Sequence, residues 1–98
     1  MSSVETALAK LDALQRDALL VLTLDCEYPL TRSRWQERVR DAGVVTADGR
    51  RIDGAAFDAV VGALVGSGAL EESRGGYTTA LRWMPAVVDD GQQRGRLG

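Results

Sequence analysis

The stretch that decides the fold is Leu64 to Trp83, LVGSGALEESRGGYTTALRW. An apolar helical pattern stops at Gly68. Leu70 to Ser73 reads as a short strand, and Arg74-Gly75-Gly76 supplies the turn residues of a hairpin. A return strand is expected from Tyr77 to Trp83, with Tyr77, Thr79, Leu81 and Trp83 on one face. A helix that runs directly into a small hairpin limits what the rest of the chain can build.

Working back from Leu64, Phe57, Val60, Val61, Leu64 and Val65 form the buried stripe of a helix. Asp53 is its N-cap, and Ile52 with Phe57 takes the spacing of a hydrophobic staple. The same start recurs upstream. Thr31 caps a helix whose stripe is Trp35, Val39 and Ala42, with Leu30 and Trp35 as the staple. Gly43 is its expected stop. Residues 4–25 read as one further helix, with Ser2 and Glu5 at capping-box spacing. The polar Gln15-Arg16-Asp17 is the place where that helix bends or starts afresh. Tyr28-Pro29-Leu30 ends it, because proline lacks the amide proton and biases the preceding residue toward extended backbone. Beyond Pro85 the periodicity fades. Residues 1–84 are expected to form a single domain and residues 85–98 a disordered tail.

Composition bounds the function. Ninety-eight residues suit one core, and the formal net charge is −2. Arginine outnumbers lysine eleven to one. Residues 32–51 hold six of the arginines, Arg32, Arg34, Arg38, Arg40, Arg50 and Arg51, against Glu37, Asp41 and Asp48. Any basic footprint is therefore local: a phosphate-facing patch, or a solvated helix face plus a polar loop. The chain has no histidine, which removes histidine-based triads and histidine metal sites. Cys26 is the single cysteine, so no intrachain disulfide forms, and a reducing, cytoplasmic compartment is the expectation. The Leu19–Leu24 run is too short to span a bilayer. No catalytic residue, metal ligand or cofactor is expected, and the chain is not read as an enzyme.

The order helix, Pro-Leu-Thr, helix, helix, then Gly-Ala-Leu-Glu-Glu-Ser and Gly-Gly-Tyr-Thr-Thr resembles the winged helix-turn-helix domains of prokaryotic regulators. The resemblance covers residues 11 to 83 and is specific at the level of the superfamily. It implies a mainly α protein with a small β-hairpin (α+β), built as a three-helix core plus a β-wing. The helix over residues 53–68 would be the recognition helix, and Ser73–Gly76 the wing tip. One feature departs from the pattern. The usual three- or four-residue turn between the two helices is replaced by Val44 to Ile52, centred on the hairpin signal Asp48-Gly49. That connection is either a small ordered hairpin or a loose loop.

The recognition-helix surface lacks the residues that read bases. Asp53, Ala55, Ala56, Asp58, Ala59, Gly62, Ala63 and Gly66 are expected to face outward, and none is Arg, Lys, Asn or Gln. DNA contact is accordingly assigned to Arg32, Arg34, Arg38, Arg50, Arg51 and Arg74, acting mainly on phosphates. The small residues Ala55, Ala59, Gly62 and Ala63 let another backbone approach closely. Either a partner protein docks there or the N-terminal helix of the same chain does. The resemblance also implies a homodimer through an added N-terminal helix, with Val4, Leu8 and Leu11 as its seam. The alternative folds that segment back on the monomer, against Trp83 and Met84. The leading expectation is a DNA-binding transcriptional regulator or an accessory factor of replication or a mobile element, with double-stranded DNA as partner. The second is a winged-helix protein–protein interaction module that does not touch DNA.

Overall fold

A computed structural model describes residues 3–25 and 29–96. Ser2 of the expected capping box, and Cys26 and Tyr28 before the proline turn, lie outside the described residues. The protein is mainly helical with one two-stranded antiparallel hairpin, an α+β arrangement. The helices are α1 (Ser3–Ala9), α2 (Ala13–Leu24), α3 (Arg32–Asp41), α4 (Gly54–Ser67) and α5 (Met84–Gln93). Strands β1 (Leu70–Ser73) and β2 (Gly76–Thr79) follow α4. No helix among the described residues is long and apolar enough to cross a membrane.

The single helix expected over residues 4–25 is two helices, and the break falls before the Gln15-Arg16-Asp17 interruption. Asp12 ends one and caps the next. Its carboxylate accepts from the Gln15 N–H at 2.8 Å, and the Gln15 side-chain oxygen accepts from the Asp12 N–H at 3.1 Å. This reciprocal pair satisfies two amide protons that a helix start leaves open. Arg16 braces the corner from the other side, donating to the Ala9 and Leu11 carbonyls at 2.9 Å each. The polar residues that looked like an interruption are thus the cap and the brace of α2.

The starts of α3 and α4 follow the sequence reading. Thr31 accepts from the Arg34 N–H, and Asp53 accepts from the Ala56 N–H at 2.8 Å. Leu30, Trp35, Ile52 and Phe57, the two staple pairs, are all buried. Gly68 ends α4 at φ 83°, a left-handed conformation that a side chain would strain, and the Ala69 N–H closes back on the Leu64 carbonyl at 3.1 Å.

The hairpin turn is Arg74-Gly75. Ser73 pairs with Gly76, and both turn residues have positive φ, 54° and 76°. A two-residue turn of that hand matches the strand twist. Leu30 adds one bridge on the other side of β2, its N–H and carbonyl both bonded to Tyr77. Gly76 is needed at that crossing: a Cβ there would stand 2.8 Å from the Leu30 carbonyl oxygen.

The return strand stops at Thr79, short of the expected Trp83. The Ala80 N–H makes a last bond to the Ala69 carbonyl at 2.7 Å, and Leu81–Trp83 turns as a 3₁₀ helix. The expected face splits, with Thr79 and Trp83 buried and Leu81 75% exposed. Pro85 then lies in the first turn of α5, where its missing N–H costs nothing. The expectation of a disordered 85–98 tail is overturned for its described residues through Gln93. Val87 is buried, and Gly91 lies so close to α2 that a Cβ would meet Leu20 Cδ2 at 2.8 Å.

α2 is the central element, packing against α3, α4, α5 and β2. Trp35 Nε1 donates to the Ala18 carbonyl at 3.0 Å, so the indole is buried without an orphan donor. Its ring meets Phe57 edge-on at 5.0 Å and Tyr77 at 5.7 Å, which joins α3, α4 and β2 in one cluster. Thr79 is the one buried polar residue of the core among the described residues. Thr23 donates to the Leu19 carbonyl at 2.8 Å, so the 2.7 Å contact between the two hydroxyls has Thr79 as donor.

Candidate nucleic-acid interface

The surface around α4 is framed by two hairpins. At its N-terminal end the connection over residues 44–52 is ordered. Val45 bridges Arg51, the Thr46 N–H bonds to the Arg50 carbonyl at 2.8 Å, and Gly49 turns the chain at φ 82°. Arg40 on α3 donates to the Ile52 carbonyl at 2.9 Å and ties the base of this hairpin to the helix pair. After α4 comes the β1–β2 hairpin with Arg74 at its tip.

The six arginines assigned to DNA do not form one free patch. Arg32 pairs with Asp58 on α4. Arg38 lies 3.7 Å from Asp25, whose side chain is 10% exposed. Arg50 pairs with Asp48 at 2.8 Å within its own hairpin. Arg34 lies on the first turn of α3 and is also engaged. Arg51 and Arg74 are exposed and make no ion pair or side-chain hydrogen bond with the described residues. Asp58, on the outward face of α4, neutralises Arg32. Exposed pairs of this kind are weak and yield to a competing anion.

Within the connection, Asp48 also accepts from the Thr46 hydroxyl. Its carboxyl is held below the ordinary aspartate value, by the Thr46 hydrogen bond first and by Arg50 to a smaller extent. The charge of Arg50 is therefore spent locally in holding the hairpin's shape.

Apart from Asp58, the exposed residues of α4 are uncharged, and they are small except for Val65, which is 50% exposed although the sequence places it in the buried stripe. Ala55, Ala59 and Gly62 are exposed and Ala63 is half-buried. A Cβ on Gly62 or Gly66 would meet nothing within 4 Å. The N-terminal helix therefore does not pack there within the monomer. It packs against α5 instead: Leu8 and Leu11 are buried in the chain's own core and Val4 lies against it. The Val4–Leu8–Leu11 seam assigned to a homodimer thus belongs to the monomer's own core, with Leu8 and Leu11 buried and Val4 partly buried against it.

The sequence reading missed a second charged cluster. Asp90 on α5 receives Arg16 at 3.3 Å and Arg94 at 2.9 Å, and Asp17 on α2 receives Arg94 at 2.7 Å and Arg96 at 3.5 Å. Burial works against the charge on Arg94, but its bonds to Asp17 and Asp90 outweigh that and raise its pKa above the ordinary value. The one available signal was the i, i+4 spacing of Asp90 and Arg94, which shows only once residues 84–94 are read as a helix. No protein-family model, curated protein or solved structure matches the chain.

Proposed function

We propose that this chain is a winged-helix domain. α2, α3 and α4 form its three-helix core, β1–β2 its wing, and α4 occupies the recognition position. Support comes from the Leu30–Tyr77 bridge, which adds a third short edge to the hairpin, and from the Trp35–Phe57–Tyr77 cluster that joins α3, α4 and the wing. The domain binds duplex DNA weakly and without base preference, as a transcriptional regulator or an accessory factor of replication or a mobile element. The observation that carries this reading is the placement of Arg51 and Arg74. They are exposed and without an ion pair among the described residues, on the two hairpins that flank α4 in the chain, where phosphates beside a groove would lie.

Anisotropy of a labelled random-sequence duplex over a salt series tests it. Affinity should fall steeply with salt, and the double variant Arg51→Ala/Arg74→Ala should lower the log–log salt slope by about two. Absence of binding at low ionic strength, or a double variant that binds like the parent, rejects it.

A second reading rests on the exposed Ala55–Ala59–Gly62 face: docking of a partner protein on α4 without DNA contact. Ala59→Trp would then abolish a complex measured by light scattering while leaving duplex affinity unchanged. Retention of the assembly in that variant counts against this reading.

A further inference from the structure

The outer edge of β1 is open. The Tyr77 N–H donates to the Leu30 carbonyl at 2.7 Å, and the Tyr77 carbonyl accepts from the Leu30 N–H at 3.1 Å. The two backbone groups of a strand residue point to the same side, and antiparallel pairs alternate between bonded and unbonded. Glu72, opposite Tyr77, is therefore in an unbonded pair, and so is Leu70, opposite Thr79. Glu71 with Thr78 and Ser73 with Gly76 are the bonded pairs, and the bond from the Ala80 N–H to the Ala69 carbonyl continues the alternation. The N–H and carbonyl groups of Leu70 and Glu72 thus point away from β2. Among the described residues no strand meets them, since the sheet has two strands and the Leu30 bridge lies on the far side of β2.

Charge decides what can add to this edge. Glu71 and Glu72 are exposed and make no ion pair among the described residues. Successive strand residues point to opposite faces, so one carboxylate stands beside the edge on each face of the sheet. Arg74 is carried on the turn, outside the paired residues. A second copy joined edge to edge would bring glutamates against glutamates, which is destabilising. Acidic side chains protect an edge from self-pairing in this way. For an incoming strand that carries arginine or lysine, the same two carboxylates become favourable cross-strand partners.

We propose that β1 accepts an extended basic segment of a partner protein as a third strand. Leu70 and Glu72 exchange N–H and carbonyl bonds with the segment, and its basic side chains pair with Glu71 and Glu72. The backbone supplies the attachment and the two glutamates select the charge. The inference does not rest on DNA contact, and its readout is the peptide alone.

The test is amide NMR titration of the full chain with the blocked peptide acetyl-Arg-Val-Arg-Val-Arg-amide and, separately, with its counterpart acetyl-Glu-Val-Glu-Val-Glu-amide. Saturable shifts are expected for the basic peptide at the Leu70 and Glu72 amides, with affinity about tenfold above that of the acidic one. Amide exchange at Leu70 and Glu72 should slow in the complex. The double variant Glu71→Lys/Glu72→Lys should reverse the preference. Strand addition also predicts an alternation in the peptide. Methylating either its arginine nitrogens or its valine nitrogens should abolish binding, and methylating the other set should leave it. Equal affinity for the two peptides, a double variant that still prefers the basic one, two methylated peptides that behave alike, shifts centred away from β1, or no saturable shift up to ~5 mM would each overturn the proposal.

Discussion

Where α5 lies on α2, Gly91 sits against Leu20 and three arginines interleave with two aspartates. On α4 the glycines face open space, and Ala55, Ala59 and Gly62 are turned to solvent. α2 packs against both helices, so the contrast is between a closed flank and an open one. Glycine shows the difference most clearly. On α5 its missing side chain allows close approach to a neighbour within the chain. On α4 the same economy serves nothing in the monomer. A surface of mostly small side chains beside two ordered hairpins admits the close approach of a partner's backbone. The α2–α5 flank has its charges largely paired and buries Leu20, Trp83 and Val87.

Trp83 anchors the closed flank at 1% exposure. Trp83→Ala should lower the unfolding free energy by about 3–5 kcal/mol in a urea titration, because a large buried ring leaves a cavity that cannot collapse. A loss below about 1 kcal/mol would mean that α5 is not part of the cooperative core. Gly76→Ala comes next, at about 1–3 kcal/mol. Its Cβ would strike backbone at Leu30, not the flexible end of a side chain. On the open flank the sign reverses. Gly62→Ala should raise stability by about 0.5–1 kcal/mol, since nothing obstructs the methyl group and alanine is the better helix former. A destabilised Gly62→Ala variant would show that α4 is covered after all.

The smallest effect concerns the connection. The lowered carboxyl of Asp48 means that its ionised form favours the folded hairpin. That contribution is fully present above the ordinary aspartate value and is lost as pH falls through the lowered folded value. Amide hydrogen exchange at Thr46 and Arg50 should therefore quicken in acid relative to α4, and Asp48→Asn should remove the difference. Global stability should barely change, because the site is fully solvated.

The starts of α3 and α4 were legible because caps and staples are local. Thr31 with Trp35, and Asp53 with Phe57, lie within one turn of each other. The hairpin was legible for the same reason, since Arg74-Gly75 carries its own turn chemistry. What could not be read depends on contacts far apart in the chain. Arg32 finds Asp58, Arg38 finds Asp25 and Arg94 finds Asp17 only after the helices pack. A count of arginines over residues 32–51 therefore overstated the free positive charge. The α1–α2 break was signalled by Gln15-Arg16-Asp17 but placed a few residues late, because Val4, Leu8, Leu11 and Ala18 make an apolar stripe that runs across it. α5 was hidden by Pro85, a helix stopper in the interior but acceptable in a first turn. Glu71 and Glu72, exposed on β1, sit beside the proposed wing contact and set an upper limit on its affinity.

The most direct test of a functional face on the open flank is amide NMR mapping with a short random-sequence duplex at low salt. Shifts should cluster at Arg51, at the first turn of α4 over residues 54–56, and at Ser73 to Gly76, with α5 and the buried side of α2 unmoved. Shifts centred on α5 and the Arg16–Asp90–Arg94 cluster, with Arg51 and Arg74 silent, would contradict it.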